Sequence, residues 1–324
     1  MTIKRNVKSF LIRSLISAVL VLAVFFVINL LLDNGILNNF HRGILILVCI
    51  NVILAVSLNL SAGFLGQLVL GHAAFMAVGA YTAAILSTRI GVTGIFGFIL
   101  VLIAGGIAAA ISGIIIGVPA LRLRGDYVAI VTLGFGLIVQ SILLNLGITG
   151  GADGLLGIPR LATLGVAFFV MVVVVAMLIA LVRSRHGRAM IAIREDEIAA
   201  EASGIDTTYY KIFGFIVAAF FAGIAGGLFA HRMSVLVPET FSFVYSIELL
   251  VIVVLGGMGS FTGAIVASVV LTLLPELLRE FGDYRMLTYS ILLVAMMIFR
   301  PKGLMGTYEF SIQSILQKLT GKRG

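Results

Sequence analysis

Apolar residues in this chain gather into long runs broken by short polar or glycine-rich intervals. The runs fall near Phe10 to Leu32, then 43 to 62, 70 to 87, 94 to 118, 127 to 147, 161 to 182, 210 to 230, 241 to 256, 262 to 275 and 285 to 299. A helical bilayer crossing takes about 20 apolar residues. The pattern therefore predicts an all-α integral membrane protein with about ten transmembrane helices. The first run follows Lys4, Arg5, Lys8 and Arg13 as a signal-peptide core would. It is longer than the ~7 to 15 residues of such a core, so it reads as a retained anchor. Residues 1-305 then form a single transmembrane domain, and 306-324 a basic tail.

Composition agrees. The 324 residues are 61% hydrophobic and only 11% charged, whereas soluble domains are nearer a quarter charged. A soluble fold, a disordered chain and a separate catalytic domain are all excluded. Charge adds orientation. Sixteen of the 22 basic residues fall on one side if the N-terminus is cytoplasmic: Lys4, Arg5, Lys8, Arg13, Arg122, Arg124, Arg183, Arg185, Arg188, Arg194, Lys211, Arg300, Lys302, Lys318, Lys322 and Arg323. Arg42, Arg89, Arg160, Arg232, Arg279 and Arg285 take the other side. This bias is the one the positive-inside rule demands, and it places both termini in the cytoplasm. The net charge of +8 thus reflects membrane orientation and implies no nucleic-acid role. The lone Cys49 reads as a small core residue.

Small residues recur every four positions in two runs, at Gly214, Ala218, Ala222, Gly226 and Ala230 and at Gly105, Ala109, Gly113 and Gly117. Such ridges let helix backbones approach closely in lipid. They predict packing within one subunit ahead of contact between subunits. Two glycine-rich hinges interrupt the spans without adding charge. Ser57 to His72 carries Asn59, Gly63, Gly66, Gln67 and His72, and Leu255 to Ala264 carries Gly256, Gly257, Gly259 and Ser260. Unwound backbone at membrane depth is tolerated only where protein or a water-filled cavity satisfies it. These residues are therefore candidates for lining a translocation path, as are Gln140 and Glu248. Tight buried turns are the plainer alternative, and interhelical hydrogen bonding is the plainer one for Asn51, Asn59, Gln67, His72, Gln140 and Asn145. Glu248, a charge inside a span, must be protonated, paired or in water.

One internal segment is long and polar, Arg183 to Lys211. Its five acids and five bases nearly cancel, unlike a basic lipid-binding patch. Met190, Ile191, Ile198, Ala199, Ala202 and Ile205 recur at helical spacing, Gly204 is a natural C-terminal stop, and Asp206 or Thr207 can cap the next helix. A helix along the cytoplasmic face from Arg188 to Ser203, with an apolar side for a partner, is predicted. No nucleophile triad and no metal-ligand cluster appears at usable spacing, and no phosphate loop of the form G-x-x-x-x-G-K-S/T is present. The chain is therefore not expected to be an enzyme, to bind a cofactor directly or to hydrolyse ATP itself.

Five blocks carry a resemblance: "NLSAGFLGQLVLGHAAFMAVGAYTAA" from Asn59, "LRLRGDYVAIVTLGFG" from Leu121, "ITGGADGLLGIP" from Ile148, "EIAAEASG" from Glu197 and "VVLGGMGSFTGA" from Val253. In order and spacing they resemble the permeases of branched-chain amino-acid importers driven by ATP-binding cassettes, nearest to the M-type subunit. The resemblance implies a multi-pass permease of the bacterial cytoplasmic membrane that works with a second, homologous permease, two cytoplasmic ATP-binding subunits that consume the ATP, and an extracytoplasmic amino-acid-binding protein. It implies that residues 183-209 couple to the ATPase through Arg188, Met190, Ile191, Glu197, Ile198, Ala199, Glu201 and Gly204. The outer glycine-rich loop, with Thr149, Gly150, Gly151, Asp153 and Arg160, is the candidate contact for the binding protein. An ion-coupled secondary transporter of a small zwitterion or amide is the alternative, with Glu248 its best support.

Overall fold

The computed structural model describes residues 19, 22–23, 25–32, 38–120, 127–300 and 303–306. From residue 38 onward the described residues form, in order, α1 (Asn39–Asn59), α2 (His72–Ile90), α3 (Ile95–Ala120), α4 (Tyr127–Asn145), α5 (Leu164–Arg183), α6 (Arg185–Glu195), α7 (Glu197–Ala202), α8 (Thr207–Met233), α9 (Phe243–Gly256), α10 (Phe261–Leu277) and α11 (Arg285–Phe299). A π-helical turn, Leu60–Phe64, extends α1. Pairing of extended backbone is confined, among the described residues, to one antiparallel bridge between Leu155 and Leu236.

Among the described residues, seven helical segments are long and apolar enough to cross a bilayer: Asn39–Phe64, His72–Ile90, Ile95–Ala120, Tyr127–Asn145, Leu164–Arg183, Thr207–Met233 and Phe261–Glu280. The chain is thus a multi-pass membrane protein. Two of the predicted spans are shorter helices, for local reasons. The 14 residues of α9 lie between the turn Pro238–Phe241 and a left-handed Gly257 at φ 110°. The 15 residues of α11 follow the turn Leu278–Tyr284. The first predicted span lies mostly outside the described residues, as do both termini, Lys4, Arg5, Lys8, Arg13, Arg122, Arg124, Lys302, Lys318, Lys322, Arg323, nearly all of 306-324 and the start of the block at Leu121.

Burial separates central from peripheral helices. The apolar windows of α1 and α8 are each 72% buried, against 28% for α4 and α5. The central pair therefore forms the core, and the outer helices expose rows such as Ile130, Leu137, Val173 and Met177. A lipid solvent supplies no reason to bury such rows. Both small-residue ridges are buried inside this chain. Gly226 lies on the Met76 and Ala80 backbone of α2, Gly113 on Ala219, and Gly105 on the Gly79 carbonyl. The ridges thus bring α2, α3 and α8 together at backbone distance, where larger side chains would separate them.

The connections fall into two sets at opposite ends of the bundle. At one end Arg232 Nε donates to the Gly43 carbonyl (2.9 Å), Arg160 Nε to Ser234 Oγ (3.0 Å), and the Arg279 guanidinium lies 5.2 Å over the Phe40 ring. At the other end Arg194 reaches the first hinge and Lys211 reaches Glu197. Arg42, Arg160, Arg232 and Arg279 had been assigned to one side by charge alone, and they share one end here.

Candidate functional site

The two hinges predicted as separate features form one buried junction. Asn59, the last residue of α1, is fully buried and uses both ends of its amide across the fold. Its Nδ2 donates to the Ser260 carbonyl at 2.9 Å, and its Oδ1 accepts from the Gly259 N–H at 2.9 Å. Ser260 Oγ in turn accepts from the Gly263 N–H and caps α10. Phe64 packs on Phe261 with ring centroids 4.6 Å apart. Gly63 is required here because a Cβ would overlap both the Asn59 amide and the Gly259 nitrogen. Gly256 and Gly263 pack backbone against backbone, so that α9 and α10 diverge from a point.

Arg194, at the end of α6, closes the junction from the polar side. Its Nη1 donates to the Gly63 carbonyl at 2.8 Å, while Nη2 pairs with Glu195 at 2.5 Å. A Cβ on Gly259 would lie 2.7 Å from Nη1, and one on Gly66 2.9 Å from the Arg194 Cγ. One guanidinium therefore touches both hinges. Arg194 was read in the sequence only as part of a charge-balanced segment, and its role depends on a contact 131 residues away.

Beyond this junction, Leu65 to Gly71 is non-helical and runs back along α1. Its far end is fixed by His72, whose Nε2 lies 3.0 Å from Ser57 Oγ. Ser57 precedes Phe64 by seven residues, about 10 Å of helix rise, so α2 starts inside the bundle instead of at its end. The exposed amides of such a stretch need partners within the protein, and three of those here and at the start of α2 are placed by long or local contacts. Gln67 N–H donates to the Ser61 carbonyl (2.8 Å), Leu70 N–H to Thr132 Oγ1 (3.1 Å) and Ala73 N–H to Ser246 Oγ (3.1 Å). Thr132 and Ser246, on α4 and α9, had no sequence signal beyond being small polar residues in apolar runs. Among the described residues, Gln67 Oε1 is one of two buried side-chain atoms without a hydrogen-bond partner. The interior thus holds an inward helix N-terminus, which favours negative charge, beside an unfilled acceptor.

Glu248 is exposed on α9, on a face with Val244 and Ile247. Its neighbour Tyr245 turns the other way and donates to Asn51 Oδ1 (3.1 Å), while Asn51 donates to Thr272 Oγ1 (2.9 Å). A charge facing lipid at mid-span costs about 2.5 kcal/mol or more. This face is therefore expected to meet protein or water. In a Cys49→Ser background, Glu248→Cys should react with a membrane-impermeant thiol reagent far faster than Val173→Cys on the lipid-type face of α5. Equal labelling would contradict that orientation. Gln140 is half-buried on α4, and Asn145 only bonds back to the Ser141 carbonyl within its own helix.

The polar segment is two helices, not one. Asp196 ends α6 and caps α7, accepting from the Ile198 and Ala199 N–H groups at 2.9 and 3.0 Å. Its backbone, at φ −157° and ψ 110°, is extended, so no helix can run through it. Met190 is completely buried against Gly214 and Leu65 and is spent in this chain's own core. Ile191 is half-buried. Glu197 pairs with the buried Lys211 at 2.6 Å, tying α7 to α8. What remains exposed is Ile198, at 74%, with Ala199, Glu201, Ala202 and Arg188, whose Nη1 donates to the Arg183 carbonyl at 3.2 Å. Gly204 is the left-handed stop at φ 84°, closed by the Ile205 N–H to the Ala200 carbonyl (3.1 Å), and Asp206 caps α8 through the Tyr209 N–H (2.9 Å).

At the opposite end, Thr149 turns inward and bonds the Leu143 and Leu146 carbonyls, both at 2.6 Å, so it closes α4 and offers nothing to a partner. Gly150 and Gly151, both at positive φ, form the adjoining turn. Asp153 and Arg160 are exposed on this loop, which the Leu155–Leu236 bridge holds in place.

An interrupted helix, a buried hinge junction and a polar segment wired into it define a membrane transport subunit. Comparison with known proteins is specific on the point. The family profile described as branched-chain amino acid transport system / permease component matches residues 40–300, and the chain belongs to that family. It is 42% identical over 291 residues to the high-affinity branched-chain amino acid transport system permease protein LivM of Salmonella typhimurium, covering 79% of this chain and 68% of that protein. It is 41% identical over 294 residues to LivM of Escherichia coli, covering 80% and 68%. The permease protein LivH of Escherichia coli is 30% identical over 128 residues, 39% of this chain and 41% of that protein. No solved structure matches.

Proposed function

We propose that the chain is the membrane-embedded permease subunit of a binding-protein-dependent, ATP-driven importer that carries branched-chain or related amino acids across the bacterial cytoplasmic membrane. The observation that carries the mechanism is the bond from Arg194 to Gly63. It joins the polar segment to the interior junction without a flexible link. On this reading the Arg194 end is cytoplasmic and the exposed side of α7 docks on an ATP-binding subunit. A homologous second permease covers the Glu248 face, and the outer loop with Asp153 and Arg160 meets the soluble amino-acid-binding protein.

The transmission follows from the contacts. Displacement of α7 is passed to α6 across Asp196 and to α8 through the pair of Glu197 and Lys211. Arg194 then moves with the Gly63 carbonyl, and Asn59 carries the same shift to the start of α10. Leu65 to Gly71 and the inner start of α2 hang from that junction. Their position decides whether the interior faces one side or the other. No step requires this chain to bind ATP.

Docking is testable at α7. Ile198→Asp and Ala199→Asp charge an exposed apolar side, and central contacts of an interface commonly contribute about 2 kcal/mol or more each. Both variants should insert and fold normally yet lose co-purification of the ATP-binding subunit by roughly 30-fold or more. Gly204→Pro should do the same, since proline fixes φ near −65° where the chain needs a left-handed residue. Glu195→Ala should be nearly silent. Normal co-purification in all of the first three would exclude α7 as the docking element. Met190→Asp, by contrast, should impair folding itself, because its side chain is a core residue.

A further inference from the structure

The outer end of the bundle holds a cavity of about 770 Å³ whose lining includes Arg42, Arg160 and Arg232. Among the described lining residues none is acidic, and no described ion pair engages any of the three arginines. Arg232 and Arg160 are each held through Nε, to the Gly43 carbonyl and Ser234 Oγ. Such anchoring fixes each guanidinium; Nη1 of Arg232 also donates to the Met233 sulfur at 3.1 Å, so that its Nη2 and the terminal nitrogens of Arg160 are the donors offered to a carboxylate. Arg42 is exposed at the start of α1. Thr163, Leu164 and Gly165, which also line the cavity, form the N-terminus of α5, and Asn39 forms that of α1. Two positive helix ends thus add to three cations. His231, on the inner wall, is neutralised as a donor by its bonds to the Gly227 carbonyl and Ser87 Oγ.

We propose that this cavity is a vestibule that binds the carboxylate group of an amino acid at the outer face before the solute enters the bundle. The identity of the solute rests on the proposed function, but the site itself is defined by carboxylate chemistry. Its size accommodates a small zwitterion with several waters, within the ordinary range of ligand pockets at roughly 300–1,000 Å³.

The test uses the assembled transporter, without its soluble binding protein, in nanodiscs of neutral lipid. Binding of radiolabelled L-leucine should be displaced by 4-methylpentanoate, which keeps the carboxylate, and not by isopentylamine, which keeps only the amine. Arg42→Gln and Arg232→Gln should each weaken binding about tenfold, while Arg89→Gln, outside the cavity, should leave it unchanged. The Arg42 side chain makes no hydrogen bond or ion pair among the described residues, so its variant separates recognition from folding. Displacement by the amine, normal binding in Arg42→Gln, or no binding at millimolar leucine would overturn the proposal. So would loss of binding on adding anionic lipid alone, because that result assigns the arginines to headgroups. ATP-driven uptake with the binding protein present tests the proposed function separately, and either reading can fail without the other.

Discussion

Arg194→Ala is expected to abolish uptake while leaving the ATP-binding subunits bound. The substitution deletes a charge-assisted hydrogen bond to the buried Gly63 carbonyl. Such bonds contribute about 1.5–3 kcal/mol, which corresponds to a loss of roughly 10- to 150-fold if the bond forms in the transport cycle. Docking should survive, because Ile198 and Ala199 lie on the other side of Asp196. ATP hydrolysis should therefore continue without solute movement. Arg194→Lys should recover only part of the activity, since a lysine lacks the planar fork that lets one side chain hold the carbonyl and Glu195 together. Measuring ATPase rate and uptake in the same proteoliposomes distinguishes this outcome from misfolding. A parallel fall in both would show that Arg194 serves assembly alone.

Asn59→Ala should have the larger effect on the protein itself. It removes the partner of the Gly259 N–H and one of two donors to the Ser260 carbonyl, which keeps the Ala264 N–H at 3.1 Å. The Gly259 N–H left without its partner costs about 1–3 kcal/mol and the lost second bond to Ser260 about 0.5–1.5 kcal/mol, so a loss of about 1.5–4.5 kcal/mol is expected, enough to lower yield and thermal stability in detergent. Asn59→Asp sharpens the test. An aspartate still accepts from Gly259 but faces the Ser260 carbonyl with a second oxygen, and it should be worse than alanine if ionised at that site. Gly63→Ala should resemble Asn59→Ala, since the new methyl collides with the same amide. Normal thermal stability in all three would mean that the hinges do not depend on this junction.

What the sequence revealed and what it hid follow from the range of the interactions. The apolar runs, the small-residue ridges, the Gly204 stop and the Asp206 cap depend on neighbours within a turn or two, and each was readable. The break at Asp196 was also local, since an aspartate followed by Glu197 is an ordinary helix start, but the continuous apolar periodicity from Met190 to Ile205 masked it. Periodicity also could not say which apolar side faces which partner. Met190 and Ile198 share one pattern, yet one fills the core beside Gly214 and the other is 74% exposed. Arg194, Thr132 and Ser246 act across 131, 62 and 173 residues. No spacing rule covers such pairs, because only the packed fold brings them together. The hinges were recognisable as glycine-rich and uncharged. Their union through Asn59 was not, and neither was the return of Leu65 to Gly71 into the bundle.

On the proposed function, energy enters this chain from outside, through α7. The direct measurement is solute accumulation in proteoliposomes under two conditions. With the second permease, the ATP-binding subunits, the soluble binding protein and enclosed ATP all present, labelled leucine should accumulate, and a non-hydrolysable ATP analogue should stop it. The chain by itself, under a proton or sodium gradient, should accumulate nothing. Gradient-driven accumulation by the chain alone, unaffected by Ile198→Asp, would contradict the claim and establish an ion-coupled carrier instead.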